Sequence, residues 1–257
     1  MPGQLVLTVL PGLPIVEPGD DLPRLILEGS RRAGLALQDG DVVVVTQKIV
    51  SKAEGRLVHL AGIQPSPEAF RLAAETEKDP RLVEVILRES REILRIRRGL
   101  IVVRHRLGFV CANAGVDHSN VRGRDGAPED WVLMLPEDPD RSADRIRRSL
   151  EEESGASLGV LIIDSHGRAW RMGTVGVAIG VSGFPALVDL RGRPDLFGYR
   201  LRVTEVGLAD EVAAAASILT GQADESAPVV HVRGLPYPLR PGTLKELIRP
   251  TDQDLFR

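Results

Sequence analysis

The residues best equipped for chemistry sit in two short stretches. Ala114–Val121, AGVDHSNV, packs a glycine, a carboxylate, a hydroxyl and a carboxamide into a few positions. The second, IIDSHGR at 162–168, brings an apolar run to an end on Asp164 and Ser165. Asp117, Asp164, the Ser165 hydroxyl and the Gln222 amide oxygen are hard ligands that suit Mg²⁺ or Mn²⁺, which take a few protein oxygens together with phosphates and water. Carboxylates at the ends of two apolar strands can converge on one metal cluster, although each aspartate alone could equally cap a turn. Lys48, Lys52, Arg168 and Arg171 carry the charge to neutralise phosphates.

Other chemical devices are absent from the sequence. There is no GxxxxGK[ST] loop and no GxGxxG after an apolar run. The histidines lack HExxH spacing, and the single cysteine, Cys111, cannot build a zinc knuckle. Asp164-Ser165-His166 is not a hydrolase triad, because neighbours on extended chain point to opposite faces. Cys111 lies inside an apolar segment and reads as a buried structural thiol.

The elements that must position these groups follow from periodicity and punctuation. Gln4–Leu10 is short, apolar and β-branched, which predicts a strand. PGLPIVEPGD at 11–20 must be a loop; its Leu13-Pro14-Ile15 trio either plugs the interior or offers a backbone edge to a planar base. A helix is expected over Asp20–Ala33, capped by Asp20 or Asp21 and ended by Gly34. Val42–Val45, an unbroken β-branched run, suggests a strand buried on both faces, leading into Thr46–Lys52 as a strand end suited to an anion or simply to water. Helices are expected over Ser66–Lys78 and Pro80–Arg91, with Ile93 continuing the helical spacing, and the seven arginines between Arg88 and Arg106 read as a solvated face. Gly99–Val103 and Leu107–Ala112 predict paired strands, and Arg122–Asp130 is rich in turns. Asp140–Glu153 is an amphipathic helix closed by Ser154-Gly155. Leu158–Ile163 is a buried strand with Asp164 at its C-terminal end. Gly173–Gly183 carries glycines that permit close approach of a ligand or of backbone. Ala186–Leu190, Leu201–Val206 and Val229–Val232 are further strands; Leu208–Thr220, with Leu208, Val212, Ala216 and Leu219 inward, and Thr243–Ile248 are helices.

Strands and helices without strict βαβ alternation suggest an α+β fold, with mixed sheets, flanking helices and two interwoven lobes forming one domain over 1–257. A formal net charge of −3 argues against general nucleic-acid binding. No apolar run approaches the ~20 residues that cross a bilayer. The N-terminus lacks the basic start and small-residue cleavage site of a signal peptide, which with one cysteine points to the cytoplasm.

GLPIVEPGDDL, DGDVVVVTQKIVSKAEGR, AGVDHSNV, DSHGRAWRMGTVGVAIG and VTEVGLADEVAAAA occur in this order. Together they resemble the coenzyme F420-0:L-glutamate ligase family from about Leu10 to about Phe256, in its stand-alone form without the C-terminal flavin-reductase-like domain of some bacterial relatives. The resemblance implies a GTP-driven amide bond between a phospholactyl-deazaflavin carboxylate and L-glutamate, with later glutamates joined through the γ-carboxyl. It also implies two Mg²⁺ or Mn²⁺ sites, K⁺ as a further cation, the family's α+β form and a homodimer. Residue by residue, it matches Leu13, Pro14, Ile15 and Val16 to the nucleotide loop, and Gln47, Lys48 and Lys52 to strand-end nucleotide contacts. Asn120 matches a nucleotide contact, Asp117 and Asp164 the metal aspartates, and Ser165 the hydroxyl of the second metal. Thr220-Gly221-Gln222 matches a loop with a glutamine ligand. Where many relatives carry threonine followed by Phe or Met, this chain has Ser165-His166; serine keeps the oxygen but rotates more freely.

That chemistry needs activation, because a carboxylate and an amine do not condense in water. Transfer of a γ-phosphoryl group makes an acyl phosphate open to amine attack, and Lys52 and Arg168 are the cations expected to steady the transferring oxygens. Two alternatives stay open: another acyl-phosphate-forming ligase with a different phosphorylated acid, and a GTP-binding protein without ligation.

Overall fold

A computed structural model describes residues 3–123 and 126–254. Arg124 and Asp125 of the turn-rich stretch, and Phe256 at the end of the resemblance, lie outside the described residues. In chain order the elements are β1 (Val6–Val9), α1 (Leu22–Arg32), β2 (Val42–Thr46), α2 (Gln47–Ala53), β3 (Leu57–His59), α3 (Pro67–Thr76), α4 (Pro80–Arg88), β4 (Ser90–Arg97), β5 (Leu100–His105), β6 (Val110–Ala112), β7 (Trp131–Leu133), α5 (Pro139–Ser154), β8 (Gly159–Arg168), β9 (Arg171–Ser182), β10 (Val188–Asp189), β11 (Glu205–Val206), α6 (Leu208–Thr220) and β12 (Val229–Arg233).

The fold is α+β, built on a five-stranded sheet in the order β1-β12-β2-β8-β9. Only β2 and β8 run parallel; the other neighbours are antiparallel. The Val42–Val45 run is buried on both sides, as its lack of alternation requires. Val43 and Val45 join Ile162, Ile26 of α1 and Leu150 of α5 on one face. Val42 and Val44 join Leu161, Ile163 and Val212 of α6 on the other. The helices begin where their caps dictate: Asp21, Asp79 and Asp138 each accept a backbone N–H of a first turn that also carries proline.

Between α2 and α5 the chain builds a second assembly. There α3 and α4 pack on the three-stranded sheet β4-β5-β6 around Leu72, Ile86, Ile101 and Val103. Its first and last strands, β3 and β7, pair with each other, Leu57 facing Leu133.

Several expectations are corrected. The helix from Pro80 stops at Arg88, and the arginine-rich stretch after it is strand β4. That stretch is solvated, but one edge of the small sheet claims its backbone; its exposed side chains hide the alternation a strand normally shows. Gln47–Ala53 is a helix rather than a strand end. β8 does not stop at Asp164 but runs on to Arg168 as a ribbon paired with β9. The glycine-rich Gly173–Gly183 lies in and beside β9, and of its two readings the close approach of protein holds at Gly176, Gly180 and Gly183. A Cβ at Gly176 would lie 2.4 Å from the Ala213 carbonyl oxygen of α6, and one at Gly180 would lie 2.5 Å from that of Pro139. The strands expected over Ala186–Leu190 and Leu201–Val206 shrink to the two-residue pair β10–β11, and Leu219 sits on the outer part of α6. Thr243–Ile248 holds only a 3₁₀ turn, Leu244–Glu246, closed by a Thr243–Glu246 capping box.

Candidate active site

Strands β2 and β8 end side by side, their last pair being Thr46 with Ile163. Ligands of sheets with parallel strands gather at such carboxyl ends. Asp164 is the first residue of β8 beyond this pair, and α2 starts directly from β2. The short helix turns Gln47 inward. Its side chain is 2% exposed and accepts the Ser51 hydroxyl at 2.9 Å, so it is occupied within the helix. Lys48 and Lys52 fall one turn apart. Burial, with the neighbouring Lys48 charge, lowers the Lys52 ammonium pKa below its ordinary value.

The AGVDHSNV stretch arrives from the second assembly and is wound tightly. Asn113, Ala114, Gly115 and Asn120 all have positive φ, a conformation that costs of order 1 kcal/mol at each non-glycine position. Gly115 is required: besides its φ of 65°, a Cβ there would stand 2.7 Å from Leu135. Asp117 is fixed by exchanging backbone hydrogen bonds with Leu133. Its carboxylate accepts the Lys48 ammonium at 2.5 Å, the Ser119 N–H at 2.7 Å and the Ser119 hydroxyl at 3.0 Å. Burial pushes the Asp117 pKa up, but Lys48 and Ser119 outweigh it and hold the group below its usual range. Lys48 also donates to the Ser119 carbonyl at 2.7 Å. Asn120 donates its amide to the Ala223 carbonyl at 2.8 Å, tying the stretch to the loop after α6 that carries Gly221 and Gln222.

The loop that carries residues 13–16 lies alongside. The Gly19 N–H binds the Ala53 carbonyl at the end of α2. Leu13 packs on the core and Val16 is buried, while Pro14 is exposed and Ile15 is 87% exposed. Within the apolar trio only Leu13 plugs the interior, and Pro14 and Ile15 stand out of it.

Asp164 is half-buried, and its Oδ2 lies 3.0 Å from His166 Nε2. It neighbours the β6 thiol: burial, then the Asp164 charge, pushes Cys111 up to about 12, which agrees with an inert structural cysteine. Alternation places Ser165 on the face of the ribbon opposite Asp164 and His166. That is the face on which Ile163 meets α6, so Ser165 looks to the side from which the Gln222 loop departs.

The structure thus gathers residues 13–16, Lys48, Lys52, Asp117, Asn120, Asp164 and the 220–223 loop around one end of the main sheet. Arg168 stands apart. It is exposed near the ribbon tip, about 13 Å along the strand from Asp164 at roughly 3.3 Å per residue, and donates to the Gly173 carbonyl. Two surface recesses, of about 540 and 380 Å³, are lined by none of these residues. Among the described residues, three or more His, Cys, Asp and Glu side chains nowhere gather as a metal cage. The oxygens of Asp117 and Asp164, completed by phosphate and water, nonetheless fit Mg²⁺ or Mn²⁺, which seldom take an all-protein cage. Sequence reasoning undervalued Ser119 and His166. The D-x-S spacing of an Asx turn was the signal for Ser119; nothing local announces Phe109, which meets His166 from β6's approach.

Comparison with known proteins gives the class: the chain is an enzyme of the ligases. More narrowly, it belongs to the F420-0:Gamma-glutamyl ligase family, whose model matches residues 12–234. It is 49% identical over 248 residues to the coenzyme F420:L-glutamate ligase of Methanothermobacter thermautotrophicus, covering 96% of each chain. The protein of the same name from Methanopyrus kandleri is 49% identical over 94% of this chain and 93% of its own. That from Methanocaldococcus jannaschii is 44% identical over 95% and 94%.

Proposed function

We propose that the protein is a GTP-dependent ligase of coenzyme F420 biosynthesis. It joins L-glutamate to the phospholactyl carboxylate of the deazaflavin precursor through an acyl phosphate, and then adds further γ-linked glutamates. The observation that carries this reading is the closure of separate segments at one sheet end: Lys48 grips Asp117 and Ser119, and Asn120 grips Ala223.

In this reading Pro14 and Ile15 offer the exposed edge of their loop to the guanine base. Lys48 exchanges its contact with Asp117 for phosphate oxygens, and the half-buried Lys52 steadies the γ-phosphoryl group as it passes to the carboxylate. Thr220 and Gly221 border the nucleotide beside Asn120. Asp117 and Asp164, with Ser165 and Gln222 on the α6 side, hold Mg²⁺ or Mn²⁺. Bound there, the cations supply charge that lets carboxylate and phosphate approach despite their like sign. Arg168, at an exposed tip, acts on substrate only from outside this cluster, and Lys52 is the better supported of the two proposed catalytic cations.

A homodimer is also part of the reading. Trp170, Met172, Leu196, Phe197 and Val203 are each more than four-fifths exposed, bare apolar side chains of the kind a second copy would cover. Light scattering on the purified protein should return twice the 27.9 kDa chain mass. No helix among the described residues is long and apolar enough to cross a membrane.

The decisive experiment incubates the protein with GTP, Mn²⁺, L-glutamate and the deazaflavin precursor. Product masses should rise by successive glutamyl increments with matching release of GDP. Release of GDP without glutamyl product would overturn the ligase assignment.

A further inference from the structure

We infer that His166 is a positioning residue for Asp164: its Nε2–H holds one carboxylate oxygen, Oδ2, and leaves Oδ1 free of protein donors for a cation. The inference rests on the metal role given to Asp164 above.

The geometry starts with alternation. Residues 164 and 166 point to the same face of the β8–β9 ribbon, and the two side chains meet at 3.0 Å. A carboxylate that ligates a cation accepts its hydrogen bonds, so in this role the imidazole donates from Nε2. Among the described residues no protein donor meets Oδ1. Fixing a ligating carboxylate by an outer hydrogen bond is how proteins hold a ligand oxygen on its cation.

The imidazole is itself held from the second assembly. Phe109 packs against it, ring centres 5.4 Å apart at 47°. Behind Phe109 lies His105, stacked at 5.2 Å and 4°. His105 is fully buried, accepts the Leu107 N–H on Nδ1 at 3.0 Å, and turns Nε2 to within 3.5 Å of Glu89. Glu89 is in turn clamped by Arg106 at 2.8 Å and Arg56 at 3.2 Å. This column of rings runs from a buried ion cluster to the carboxylate, so the second assembly sets the rotamer of a residue on the main sheet.

Mn²⁺ alone serves as the probe, titrated by calorimetry into wild type and three variants. His166→Phe keeps the packing against Phe109 but removes the donor, and should weaken Mn²⁺ binding by about 10-fold or more. His166→Gln, whose amide reaches as far as Nε2, should restore affinity to within about threefold. Wild-type affinity in His166→Phe, or equal weakening in the two variants, would overturn the inference alone. Undiminished affinity in Asp164→Asn would instead remove the metal site, and this inference with it. Should His166→Phe not fold, nitrogen-15 NMR of the wild-type histidines decides: a protected Nε2–H on His166 supports the positioning, and an Nδ1–H tautomer overturns it.

Discussion

Strand β2 has an aspartate-centred cluster at each end, and the two are built in opposite ways. At its start, Asp41 is 1% exposed and both of its carboxylate oxygens are bonded. Arg233 grips it with two bonds, Nε to Oδ1 at 2.8 Å and Nη2 to Oδ2 at 2.7 Å. His231 Nε2 lies 2.8 Å from Oδ2, and the Gln38 N–H donates at 2.9 Å. At the other end Asp117 is partly open and is met by a lysine, a compact charge on a flexible stem. A planar fork in a dry pocket cannot be exchanged cheaply; a lysine near water can. The first cluster is therefore a clasp joining β2 to β12, and the second is a polar surface with valence to spare. Charge does not distinguish them; burial and the replaceability of the partners do.

Mutations sharpen the contrast, and the largest effect belongs to the open end. Asp164→Asn should lower ligation by about 10³-fold, the scale of a lost metal charge, with little change in melting temperature. Near-normal turnover in the folded variant would sink the proposed metal role. At the closed end the pattern should invert: Asp41→Ala should cost about 3 kcal/mol in urea unfolding, because it strands Arg233 and His231, while turnover per folded molecule survives.

Acid should find the same clasp. Burial raises the Asp41 pKa, but Arg233 and His231 overcome this and hold it at about 2, against 3.8 unfolded. The stability it provides is complete above pH 4 and fades as pH falls toward 2, amounting to about 2 kcal/mol. Unfolding curves of wild type and Asp41→Asn compared between pH 5 and 2 should show this loss in wild type only.

Two smaller effects bound the comparison. Lys52→Ala should raise the KM for GTP by about 10-fold while leaving that for glutamate near its original value, and equal changes would count against contact with phosphate. Cys111→Ser should retain turnover and lose about 1 kcal/mol of stability as a hydroxyl replaces a buried thiol; an inactive but stable variant would give that thiol a role its environment argues against.

Much of the open end was legible in the sequence, because its signals are local. An apolar run meeting Asp164, an Asx-type Asp117-His118-Ser119 and a capped α6 ending at Gly221 each state their own conformation. The β-branched run of β2 likewise announced burial on both faces. What stayed hidden depends on partners distant in the chain. β4 looks like a charged surface until β5 pairs with it. The glycines of β9 leave ligand and backbone both open as the close neighbour until α6 and Pro139 are laid against them. Asp41 and Arg233 have no sequence signature at all, since the clasp exists only once β12 lies beside β2. The ribbon beyond Asp164 was missed because two strands that leave a sheet together can continue without a hydrophobic face.

The pairing of β3 with β7 has one more consequence. The chain enters the second assembly at Leu57 and leaves it at Leu133, and these residues sit opposite each other, about 5 Å apart as neighbouring strands are. Everything between is topologically a pendant, joined at one doorway. A turn of a few residues could bridge that doorway and let the main sheet be made without the pendant. Such a truncated chain would carry Asp164 but neither Asp117 nor Asn120, and the excised piece the reverse. Mixing the two would turn the site into a complementation assay, in which activity returns only when the halves find each other.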